Sequence, residues 1–92
     1  MNVTDLAAVY SITSTAFIKC IALLRDSKHF PEHTMILLCM YAAKLRNVQK
    51  YIIENVARRE VNIKEYLREN VADCVELEKR ISEETQISLH TH

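Results

Sequence analysis

The sequence predicts an all-α protein, a three-helix antiparallel bundle around a long central helix and, with a break near Ser11, a possible four-helix variant. Three observations carry that expectation. The 92 residues contain no glycine, and the single proline is Pro31. Glycine supplies the positive-φ positions of tight hairpins and phosphate-cradling loops, so a chain without it is suited to helices joined by short polar links. Apolar residues then recur at alternating spacings of three and four through three successive segments, the period of one helix face. Polar, helix-starting residues stand ahead of each segment.

The first segment covers residues 1–26. Asn2 or Thr4 can cap it, and Asp5 suits the positive end of the helix dipole. Leu6, Tyr10, Thr13, Phe17, Cys20 and Leu24 form one stripe, which Val9, Ala16 and Ile21 widen. Ile12, Ile18 and Leu23 lie off the stripe, so this helix is apolar nearly all round and should be covered on more than one side.

The polar link Arg25 to Phe30 ends at Pro31. Proline fits the first helical position, where its missing N–H costs nothing. A long helix is predicted from Pro31 to about Arg58, with the seam Leu38, Tyr41, Leu45, Val48, Ile52 and Asn55, flanked by Met35, Ala42 and Val56. At ~1.5 Å per residue it is roughly 40 Å long. A compact domain of about a hundred residues has a radius of gyration near 13 Å, so the ends of such a rod call for further cover. A second copy of the chain is the simplest source, and a homodimer through the first two helices is expected.

Asn62 and Glu65 form a capping pair, with Val61 placed to staple onto Tyr66. A third helix is predicted from Ile63 to about Ser82, with an inner face of Ile63, Leu67, Val71, Cys74, Leu77 or Glu78, and Ile81. The domain is thus expected over residues 1–84, with 85–92 a loose tail.

Twelve basic residues balance twelve acidic ones, so net charge gives no drive toward nucleic acid or anionic membranes. The charge is nevertheless polarised along the chain. Lys44, Arg46, Lys50, Arg58, Arg59, Lys64 and Arg68 precede Glu69, Asp73, Glu76, Glu78, Glu83 and Glu84. The two groups can meet in an antiparallel hairpin, or the basic group can hold an acidic partner. Cys20, Cys39 and Cys74 are far apart, form no CxxC pair and read as reduced thiols of a cytoplasmic protein. The residues ahead of Leu6 carry no basic cluster of the signal-peptide kind.

Four motifs bear on function. Leu6-Ala7, Ser11-Ile12-Thr13 and Phe17 are spaced in a way that resembles a helix-turn-helix. Ser11 stands where that pattern prefers glycine, and the would-be recognition helix offers only Ser14, Thr15 and Lys19 as polar contacts, a poor set for reading base edges. Leu6 to Leu24 is long enough to cross a bilayer, but Lys19 near its middle would cost ~2.5–3.5 kcal/mol there. His29, Glu32 and His33 resemble one metalloprotease pattern, yet Pro31 starts a helix between the two histidines and removes their common face. A P-loop needs glycine, and no Ser-His-Asp or Cys-His set is readable.

The expectation is therefore a small cytoplasmic, non-enzymatic regulator that binds another protein. It would control transcription or nucleic-acid machinery in the manner of an antirepressor, inhibitor or adaptor, and no cofactor or metal is expected. Leu6, Tyr10, Phe17, Ile18, Leu38, Tyr41, Leu45, Val48 and Ile52 are the expected partner or oligomer interface. Ser14, Thr15, Lys19, Lys44, Arg46 and Lys50 are the candidate contacts to an acidic partner or nucleic acid. A dimeric DNA-binding regulator is the second expectation, and a single-span membrane protein a remote third.

Overall fold

The computed structural model describes residues 3–26, 30–58, 64–87 and Leu89. Among them the chain is helical without strands: α1 is Val3–Arg25, α2 is Glu32–Ala57 and α3 is Lys64–Thr85. α1 runs through Ser11 unbroken, so the break that a fourth helix or a helix-turn-helix requires is not there. Pro31 is the N-cap of α2 rather than its first helical residue, with φ −62° and ψ 157°. Its carbonyl accepts the first α2 hydrogen bond, from the Met35 amide at 3.1 Å. The proposed Asn62 cap and Val61 staple, and the inner-face position given to Ile63, lie outside the described residues.

α2 is the spine, and α1 and α3 both pack on it while making little contact with each other. Both neighbours run antiparallel to α2. On the α1 side, Gln49 meets Thr13 and Ser14 while Arg46 lies over the Phe17 ring. On the α3 side, Tyr51 stacks on Tyr66, Lys44 bonds Asp73 and Thr34 bonds Glu84. Partners climb one helix as they descend the other. α1 and α3 therefore lie parallel on adjoining sides of α2.

The core has two parts. One joins Ala16 and Cys20 of α1, Leu38, Tyr41 and Leu45 of α2, and Leu77 and Ile81 of α3. The other joins Leu6, Val48, Ile52 and Leu67. Between them lies a buried polar layer. The Gln49 side-chain amide donates to the Tyr10 carbonyl at 3.3 Å, the Thr13 hydroxyl at 3.2 Å and the Ser14 hydroxyl at 2.6 Å. Buried polar groups need such partners, and these fix how far α1 can slide along α2.

One expectation fails here. Val71, assigned to the inner face of α3, is 42% exposed. Of the expected tail, the described part shows α3 continuing to Thr85, Gln86 at φ 61° and Leu89 fully buried against the first cluster. A left-handed residue after a helix reverses the chain, a position that usually goes to glycine. The long axis is 43 Å and the radius of gyration 13.9 Å, against about 12 Å for a compact chain of this length.

Candidate functional site

Because α1 and α3 flank α2 without closing on each other, an apolar groove of about 220 Å³ remains between them. Tyr41, Leu45 and Val48 of α2 form its floor, Val9, Ile12 and Ala16 one bank, and Val71, Cys74 and Val75 the other, with Leu89 among its lining residues. The spacing explains the shape. Tyr41, Leu45 and Val48 occupy the middle of a broad apolar face whose two edges are taken by α1 and α3. Ile12 and Val75 stand on facing banks, 54% and 51% exposed.

The groove holds two polar groups of note. Tyr41 is 5% exposed, and no hydrogen bond reaches its hydroxyl among the described residues. Burial raises the Tyr41 phenol well above its ordinary pKa, and the nearby Cys20 on α1 and Cys74 and Glu78 on α3 add to the rise. Tyr41 is among the residues that line the gap between the two banks. Glu78 is buried on the α3 bank and accepts a hydrogen bond from the Ser82 hydroxyl at 3.1 Å. Cys74 is half-buried, and burial lifts its thiol pKa. Such a thiol is a weak nucleophile at neutral pH.

The residues expected at an interface divide sharply. Leu38, Tyr41, Leu45, Val48 and Ile52 are buried inside the chain, because the α2 seam they form is what α1 and α3 pack on, and Leu6 of α1 is buried against Val48 and Ile52. Tyr41, Leu45 and Val48 still reach the groove from below. Phe17 is partly covered beneath Arg46, whose guanidinium carbon is 5.3 Å from the ring centroid. Ile18, 68% exposed, and Tyr10 remain open to a partner.

The expected polar contacts do not form one face. Lys44 turns to α3 and donates to Asp73 at 2.8 Å, a contact that raises its pKa, while Arg46 turns the other way to α1. Lys50 is exposed, Ser14 takes a bond from Gln49, Thr15 donates back to the Ser11 carbonyl, and Lys19 is half-exposed. The polarised charge thus does what an antiparallel hairpin allows, at least at Lys44 and Asp73. His33 lies 3.1 Å from Glu84, and His29 is outside the described residues. No group of three metal-binding side chains occurs among the described residues.

Sequence reasoning missed Gln49, Thr34 and Leu89. Gln49 lies four residues after Leu45 and Thr34 four before Leu38, so the helical period does place both on the apolar seam. Leu89 had no such signal, since it lies past the end of α3, where no helical period applies.

No protein-family model, curated protein or solved structure matches this chain. Thr4–Arg25 is long and apolar enough to cross a membrane, with a mean hydropathy of 1.6 over its best window, a test that core helices of soluble proteins also pass. Its bonds to Gln49 and its share of the core tie it to α2.

Proposed function

We propose that this protein is a small non-enzymatic regulator that acts by binding another protein, and that the groove between α1 and α3 is where it binds. The observation that carries the proposal is the Tyr41 hydroxyl, buried on the floor of an open apolar groove without a hydrogen-bond partner among the described residues. Leaving such a group unmet costs about 1–3 kcal/mol, and an occupant that brings an acceptor recovers it.

The test compares the wild-type chain with the double variant Ile12→Gln, Val75→Gln, both at exposed positions. Each is immobilised and exposed to extract from its own host, and hydrogen exchange then maps any retained protein onto the chain. A protein held by wild type, lost by the variant and protecting both banks supports the proposal. Identical retention by the two chains contradicts it.

A second copy remains proposed for the outer faces of α1 and α2, where Ile18, Ile36 and Met40 are each at least half exposed. Light scattering across a concentration series tests this, and a constant monomer mass at high concentration removes it.

A further inference from the structure

The banks of the groove carry charge, and its sign bears on what the groove holds. On α3, Lys64 and Arg68 stand seven residues before Val71 and Val75, and Lys79 stands four after Val75. Seven residues are nearly two full turns, so these three exposed side chains leave α3 along the edge that lines the groove. They span about 22 Å of helix. Arg68 has a loose contact of 3.9 Å with Glu65. The other α3 acids lie further round: Asp73 and Glu84 engage Lys44, Thr34 and His33 of α2, and Glu69, Glu76 and Glu83 are exposed. On the α1 bank, Lys19 stands seven residues after Ile12 and Asp5 seven before it. Glu78 lies within the groove, bonded by Ser82. The outer edge of the α3 bank is therefore basic, with the one acid Glu78 buried below it beside the apolar floor.

The banks are two parallel helices, so the groove runs along the bundle axis in the position a fourth helix would take. From Val9 to Ala16, and from Val71 to Glu78, the lining covers about 10 Å, or two helical turns. We infer that the groove receives an amphipathic helix of another protein, with a two-turn apolar stripe and acidic residues on the side that meets α3. This rests on the groove being a docking site at all. A second copy of the chain offers no such helix. Its acid-rich α3 already turns Leu67, Leu77 and Ile81 onto α2. Its exposed α1 and α2 faces present Ile18, Ile36 and Met40 without a row of acids.

The test uses two fluorescein-labelled, helix-stapled peptides of about eighteen residues. Both carry leucines at helical spacing over two turns. One has glutamates along the flank, the other lysines at the same positions. Fluorescence anisotropy measures their binding to the full chain, to the triple variant Lys64→Glu, Arg68→Glu, Lys79→Glu, and to Ile12→Gln, Val75→Gln. Circular dichroism checks that each variant folds. The expected result is that the glutamate peptide binds wild type at least about tenfold tighter than the lysine peptide. That preference should weaken with salt, reverse in the charge variant and vanish in the groove variant. Equal affinities, or tighter binding of the lysine peptide, with both lost in the groove variant, overturn the acidic-helix inference and leave the groove as a docking site. Binding of neither peptide, or binding that survives the groove variant, overturns both.

Discussion

Replacing Tyr41 with phenylalanine removes one oxygen and leaves the ring contacts in place. A buried tyrosine is ordinarily weakened by that change, because its hydroxyl has a partner. Here the ring is 5% exposed and the hydroxyl has no hydrogen-bond partner among the described residues. The neighbours that act on it electrostatically are two thiols and Glu78, and burial itself is the largest cause of its raised pKa. An unmet buried hydroxyl costs about 1–3 kcal/mol, and the open groove recovers part of that through transient water. Tyr41→Phe is therefore expected to raise the unfolding free energy by about 1 kcal/mol, which for a chain of this size lifts Tm by about 4–8 °C. Urea unfolding followed by circular dichroism, together with calorimetry, measures it. A loss of about 1 kcal/mol or more would show that the hydroxyl already has a partner inside the fold and would remove the main support for an absent occupant.

Other perturbations probe the frame around the groove. Gln49→Ala should lower stability by about 2–3 kcal/mol, since it deserts Tyr10, Thr13 and Ser14 and opens a cavity. The exposed control Lys50→Ala should stay within about 0.5 kcal/mol, and a similar loss in both denies the polar layer its role. Cys20 is fully buried, and burial pushes its thiol from 9.0 up to about 12. The fold holds that proton more tightly than the unfolded chain, so the contribution is whole below pH 9 and is lost as pH climbs from there toward 12. Denaturation midpoints should fall over this window, and Cys20→Ala should make the fall shallower by about 1 kcal/mol per pH unit. An unchanged slope would place the alkaline sensitivity elsewhere, for example at Tyr66 or Cys74. Gln86 sits at φ 61°, so Gln86→Gly should stabilise by about 0.5–1 kcal/mol in urea melts. A destabilised glycine variant would mean that the exposed bond from the Gln86 side chain to the Glu83 carbonyl, 2.9 Å long, outweighs the cost of the left-handed backbone.

Much of the architecture is readable from local rules. The absence of glycine, the lone Pro31 and the spacing from Leu38 to Ile52 give the class, the central rod and nearly all of its buried face. The same spacing cannot say what covers that face. Leu38, Leu45 and Ile52 carry the same pattern whether a second copy or the chain's own α1 and α3 pack on them, and expecting an intermolecular seam followed from that ambiguity. The excess of apolar positions on α1 led to the expectation of cover on more than one side, whereas Ile12 and Ile18 are left exposed in the chain, and the groove itself depends on how far apart α1 and α3 settle on α2. Tyr41 shows the limit most clearly. Its place on the seam follows from its number, whereas the isolation of its hydroxyl follows from three helices meeting. Val71 misled because a position at the border of an apolar stripe goes inward only when a neighbour is there to receive it.

Cys74 reports on the groove without any mutation. It lines the cleft half-buried, while Cys39 is exposed on α2 away from it and Cys20 is sealed in the core. Timed alkylation read by peptide mass spectrometry follows all three thiols in one sample. With the glutamate-flanked helical peptide at saturation, Cys74 modification is predicted to slow by about tenfold or more, with Cys39 unchanged and Cys20 unreactive throughout. A Cys74 rate that stays the same while the peptide is bound would place the binding surface outside the groove between α1 and α3.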